Sequence, residues 1–143
     1  MHRLVTACVC TCLLLPLAVR AQKPEKDCFE TAMTQLDSNR CAADLHAEAD
    51  AELNRVYKAI LEKYKKDALF VEKLRAAQRA WLAYRDAEME AKFPHAKEDH
   101  YYGSIFPMCD QLYRTQLTQD RTKKLREWLD GSGEGDGCAG SVE

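Results

Sequence analysis

Between Glu25 and Phe93 the sequence holds neither glycine nor proline, and after residue 21 valine and isoleucine occur only at Val56, Ile60, Val71, Ile105 and Val142. The first absence removes the residues that break helices, and the second removes those that build sheets. Abundant Ala, Leu, Glu, Lys, Arg and Gln fill the space, so an all-α fold is expected. The usual signatures of catalysis are missing as well: there is no glycine-rich phosphate loop, nucleophile elbow or zinc-protease helix. Glu48, Asp50 and Glu52 stand two residues apart, which spreads them around a helix instead of aiming a pair at one point. The chain is therefore not expected to be an enzyme, and no cofactor is implied.

A basic excess is lacking too. The 143 residues carry 21 Lys+Arg against 23 Asp+Glu, and the first 21 residues hold two of the bases, Arg3 and Arg20, and none of the acids. The remainder thus has a net charge of −4, which disfavours a nucleic-acid binder with its basic face or stripe. It is long enough for one domain with its own core.

Residues 1–21 read as a signal peptide: a basic start at Arg3, an apolar stretch from Leu4 to Val19, and the small Ala21 before the cleavage point. The stretch is short for a bilayer span and is interrupted by Pro16, so no stable membrane insertion is expected after cleavage. Val5 to Cys8 looks like a lipoprotein cleavage box but precedes the apolar core it should follow, so it is not read as an anchor. The address implied is export, to the periplasm or the medium of a bacterium. Removing the signal leaves Cys28, Cys41, Cys109 and Cys138, an even number for which oxidation is the default in an exported chain. Three connectivities are open, and no close Cys-x-x-Cys pair suggests zinc.

Apolar spacing divides the domain, residues 22–130, into a small bundle of about four helices. A first helix is expected from Asp27 to Met33, burying Phe29, Ala32, Met33 and Leu36. Thr34 to Asp37 fits a capping box for a longer second helix with Cys41, Leu45, Ala49, Leu53, Val56, Tyr57, Ile60 and Tyr64 along one stripe. Asp67 can cap a third helix that turns Phe70, Leu74, Ala77, Trp81 and Tyr84 inward and ends near Phe93, before Pro94. After a polar loop from Pro94 to Gly103, Ser104 is the expected N-cap of a fourth helix, with Pro107 in its first turn. Ile105, Met108, Leu112, Leu117, Leu125 and Trp128 supply its apolar positions. The glycine-rich stretch 131–143 cannot bury apolar area and reads as a flexible, disordered acidic tail.

On one continuous helix, Cys28 and Cys41 would stand about 20 Å apart, where a disulfide tolerates less than about 7 Å. Pairing them requires the chain to reverse between Thr34 and Asn39, where the capping box already suggests a break. Such a bridge would staple the first helix onto the second. A Cys109–Cys138 pair is not expected, because about 30 Å of helix would have to be retraced by a fully extended tail. Cys138 is left as a tail thiol or as a link between two chains.

The candidates for chemistry are few. His95-Ala-Lys-Glu-Asp-His100 gathers two imidazoles and two carboxylates in one loop, but no third ligand has characteristic spacing, so no metal site is expected. His46, beside Asp44 and Glu48, reads as an exposed polar-face residue. Arg85 and Arg121 fall on the apolar sides of their helices and call for internal ion pairs with Asp86, Glu88 or Asp120.

Several blocks are recognisable in order: Cys28 to Cys41; Ala49-Asp50-Ala-Glu-Leu-Asn54-Arg-Val-Tyr57; Gln78-Arg-Ala-Trp81-Leu-Ala-Tyr84-Arg85-Asp86-Ala-Glu88; Gly103-Ser104-Ile-Phe-Pro107-Met108; and Leu117-Thr118-Gln-Asp-Arg121. Together they resemble the LprI-like lysozyme inhibitor N-terminal domain family. The resemblance implies a small, exported helical protein that binds a protein partner, lysozyme; the charge balance already speaks against nucleic acid. Gln78, Trp81, Tyr84, Arg85, Asp86 and Arg121 are the motif residues it brings, in a structural role. Members of that family commonly carry two further cysteines at the positions of Met89 and Tyr113, so a second bridge is absent here. The expected mode is occlusion of the enzyme's active site. A loop presenting His95, Lys97, His100 and Tyr101 between two helices is the candidate surface for plugging a carboxylate-lined cleft. The rival reading is an envelope scaffold without inhibitory activity, joined as a dimer through Cys138.

Overall fold

A computed structural model describes residues 25–132 and 136–142; the expected signal peptide lies outside the described residues. The element order is α1 (Glu25–Thr31), α2 (Gln35–Lys63), α3 (Ala68–Lys92), a 3₁₀ turn (Gly103–Ile105) and α4 (Phe106–Asp130), with no strand among the described residues.

Between α1 and α2 the chain reverses over Ala32 to Thr34. The expected capping box is formed there: Asp37 N–H donates to Thr34 Oγ1 (3.1 Å), and Thr34 N–H donates to Asp37 Oδ2 (3.0 Å). The Thr34 hydroxyl also donates to the Asp37 carboxylate and holds its pKa below the usual range. This reversal brings the Cα atoms of Cys28 and Cys41 to 5.8 Å, and the two are disulfide-bonded. Closing a loop of this size stabilises by about 3 kcal/mol. Helix α1 stops two residues earlier than the apolar pattern suggests, because Ala32 and Met33 are used in the turn. Met33 (90% exposed) and Leu36 (57%) consequently face solvent and not the core. Cys109 and Cys138 are free thiols.

Helix α2 buries Cys41, Ala42, Leu45, Ala49, Leu53, Val56 and Ile60, and its stripe continues to the buried Tyr64. It runs parallel to α4, since Gln35 lies beside Met108 at one end while Lys63 and Tyr64 both donate to the Trp128 carbonyl (3.1 Å each) at the other. The inward residues of α4 are Thr115, Thr118, Thr122 and Leu125. This differs from the apolar set expected for α4, of which Leu125 is buried while Ile105 is 47% exposed. The reason is steric: threonines facing Ala42, Leu45 and Ala49 are small enough to let the two backbones approach closely along their length.

Helix α3 starts at the expected cap, where Asp67 Oδ1 accepts from Phe70 N–H (2.9 Å), and runs antiparallel to the other two. Its inward line is Phe70, Leu74, Gln78, Trp81, Arg85 and Met89. Ala77 and Tyr84, expected inside, are exposed, so the inward stripe passes through polar Gln78 and Arg85. Ser104 does not cap α4. It sits inside the 3₁₀ turn, and its carbonyl accepts from Asn39 Nδ2 (3.2 Å), while Pro107 occupies the first turn as expected.

The core gathers at one end. Ile60 and Leu125 are fully buried, and Tyr64, Phe70 and Trp128 close the end with ring centroids 4.3 to 6.3 Å apart. Towards the opposite end a second aromatic cluster forms from Phe93, Tyr102, Phe106 and Tyr113. No described helix is long and apolar enough to cross a membrane.

Candidate functional site

Pro94 stops α3, and the chain then makes a series of tight turns, with backbone bonds from Ala96 to Phe93, Glu98 to His95, Tyr101 to Glu98 and Gly103 to His100. His100 adopts φ 59°, a left-handed conformation uncommon outside glycine, and Gly103 follows at φ 69°. His95 Nδ1 lies 2.6 Å from Glu98 Oε1, and its ring stacks on Tyr101 with centroids 4.2 Å apart. Tyr102 anchors the loop from beneath: its hydroxyl accepts from His95 N–H (3.3 Å), and its ring packs on Phe93 and Phe106.

The four loop residues singled out in the sequence do not converge on one point. His95 and Tyr101 form one stacked unit with Tyr101 57% exposed, and His100 stands exposed at the left-handed turn. The Lys97 side chain, 91% exposed, extends over the outer side towards Glu90 (3.6 Å). Among the described residues no group of three or more His, Cys, Asp or Glu side chains is arranged to hold a metal ion.

Lys97 also borders an open groove of about 420 Å³ between the end of α3 and the start of α4. Met89 and Phe93 form its apolar part, and Asp86, Asp110 and Arg114 its charged part. Arg114 Nε donates to Asp110 Oδ2 (3.0 Å) and its Nη1 reaches Asp86 (3.7 Å), so the groove joins the loop to the motif residues of α3.

Those motif residues line the α3–α4 seam. Arg85 lies over the Trp81 ring (5.4 Å) and pairs with Asp86 (3.0 Å), whereas Arg121 donates from Nε to Gln78 Oε1 (3.0 Å). The ion pair expected for Arg121 is therefore replaced by a neutral amide, and burial pushes its pKa down. Tyr84 and Asp86 are exposed beside this line. Where the resembling family implies a second bridge, Met89 is buried and Tyr113 is held from α3 without a covalent bond. Its hydroxyl donates to Glu88 Oε1 (2.9 Å), and the Lys92 ammonium lies over its ring (4.9 Å). Accepting that bond, Glu88 raises the Tyr113 pKa.

His46 corrects the sequence reading. It is half-buried and faces Asp50 on its own helix, Arg85 on α3, and Arg114 and Asp110 on α4; desolvation is the main cause of its lowered pKa. Hydropathy gave no signal for it, because the charges around it come from two other helices.

Comparison with known proteins gives the chain its family. It is 35% identical over 123 residues to an uncharacterized protein of Rhizobium meliloti (strain 1021), spanning 78% of this chain and 85% of that protein. No solved structure matches it. Residues 27–125, from α1 to the buried Leu125, match the family described as lysozyme inhibitor LprI, and the protein belongs to that family.

Proposed function

We propose that this protein is exported to the bacterial envelope and inhibits a lysozyme by occluding its active site through the 94–103 loop. The observation that carries the reading is the stacked His95–Tyr101 pair on an aromatic base, with Lys97 almost wholly exposed beside it. A loop fixed by its own turns loses little conformational entropy on binding, and an exposed ammonium with an aromatic neighbour suits a cleft lined by carboxylates. The net charge of −4 outside residues 1–21 favours encounter with a basic enzyme. No residue of the loop is needed for chemistry on a substrate, because occlusion requires only surface.

The test is cell-wall lysis by a basic lysozyme with the oxidised protein titrated in. Dose-dependent inhibition is expected, and replacing His95, Lys97, His100 and Tyr101 together by alanine should abolish it while the thermal midpoint holds. Inhibition that survives the fourfold change rejects the loop. A folded protein that never inhibits at large molar excess rejects the activity and favours a scaffold.

A further inference from the structure

Arg85, Arg114 and Arg121 are the half-buried arginines of the described residues, and all three line the α3–α4 seam. Burying a guanidinium is costly unless a carboxylate lies against it. Arg85 has Asp86 at 3.0 Å, and Arg114 has Asp110 at 3.0 Å and Asp86 at 3.7 Å. Arg121 has no acidic partner among the described residues: its Nε donates to Gln78, and its guanidinium lies 6.0 Å from the centre of the Trp81 ring. Of its five N–H donors one is thus used, and the four on Nη1 and Nη2 have no acceptor among the described residues.

We infer that Arg121, with Gln78 and Trp81, forms a binding site for a carboxylate presented from outside the fold. Gln78 fixes the guanidinium through Nε and leaves its terminal edge, the part that receives a carboxylate with two parallel bonds, directed away from that amide. A monoanion balances the charge: Arg85 and Arg114 are matched by Asp86 and Asp110, Glu88 is engaged by Tyr113, and of the three guanidinium groups Arg121 is the one left without a carboxylate among the described residues. A phosphate dianion would overcompensate that single charge. Trp81 adds an apolar surface for the aliphatic stem that carries the carboxylate. The same chemistry is presented by a free aliphatic acid and by an Asp or Glu side chain of a protein partner. This site lies on the helix seam and not on the loop, so it stands independently of the occlusion reading.

The experiment is an NMR titration of the ¹⁵N-labelled protein, reading the Arg121 Nε–H and Trp81 indole resonances at fixed ionic strength. With sodium propionate as probe, both resonances should move and saturate, while sodium chloride leaves them in place. Arg121→Gln should weaken the Trp81 response at least about tenfold, and Arg121→Lys, which keeps the charge without the bidentate edge, should fall between. An Arg121→Gln variant that does not fold leaves the lysine variant and the chloride control to decide. Lack of saturation by propionate, an equal response to chloride, or undiminished binding by Arg121→Lys and Arg121→Gln overturns the inference. A second arm adds lysozyme: movement of Arg121 Nε–H that excess propionate reverses assigns the natural carboxylate to a protein side chain. With propionate bound and lysozyme without effect on that resonance, the ligand is a free acid. Both arms are read without any lysis assay, so failure of inhibition and failure of this site are told apart.

Discussion

Helix α4 has two neighbours and meets them by opposite means. Towards α2 it presents Thr115, Thr118 and Thr122 against Ala42, Leu45 and Ala49, small groups that bring the backbones close. Towards α3 it presents Tyr113, Arg114 and Arg121, long side chains that hold the helix at a greater distance through Glu88, Asp86 and Gln78. Close seams exclude water and supply stability through dispersion and burial. Wide seams filled by polar side chains contribute less, and they leave donors and acceptors near solvent where a partner can use them. The fold is held by the α2–α4 pair and the apolar end, and half-buried charged and hydrogen-bonding side chains are gathered along the α3 seam.

The largest effect should come from the end where both seams share one core. Leu125→Ala removes a fully buried side chain against Ile60 and Val56 and should cost about 2–5 kcal/mol in urea unfolding. A loss below about 1 kcal/mol would mean that the apolar end is not the main source of stability.

Next, overpacking should separate the two seams. Ala42 is fully buried where the backbones are close, so Ala42→Leu should cost about 1–3 kcal/mol, whereas Met89→Leu on the α3 side should cost less than about 1.5 kcal/mol. Equal costs in the same unfolding series would erase the distinction.

A smaller effect of opposite sign is expected at Thr118. Its hydroxyl is buried without a hydrogen-bond partner, while Thr115 and Thr122 donate to the carbonyls of Gln111 and Thr118 at 2.8 Å. Thr118→Val removes that unpaired group at nearly constant volume and should raise stability by about 1 kcal/mol, seen as a higher thermal midpoint. Thr122→Val should not.

The smallest effect is a pH slope carried by His46. Its folded pKa lies below the ordinary value of 6.5, so the folded state resists a proton that the unfolded chain accepts. Stability should therefore fall as pH drops below 6.5 towards the folded pKa, with no contribution from this group above 6.5. His46→Gln should flatten that part of the profile while leaving the acid limb of Glu52, whose pKa is about 2 because Arg55 and Arg126 bond its carboxylate. An unchanged slope would show that Asp50 and Asp110 compensate the two arginines facing His46.

Much of this architecture was legible in residues close together in the chain. The stripe from Cys41 to Tyr64, the caps at Thr34 and Asp67, the stop before Pro94 and the Cys28–Cys41 pairing all depend on spacings of a few residues and on local backbone geometry. The apolar pattern failed where a helix faces a neighbour through polar or small groups. It placed Ala77 and Tyr84 inside α3 and expected apolar side chains along α4 where threonines are buried.

The all-α class, the boundaries of the long helices and the first-helix staple were thus determined by the sequence alone, because helix propensity, capping and chain reversal act over a few residues. The threonine seam, the burial of His46 and the amide in place of an acid beside Arg121 were decided only by tertiary structure. Each depends on which side chain of another helix stands opposite, and that distance of 43 residues between Gln78 and Arg121 is closed by packing and not by local preference.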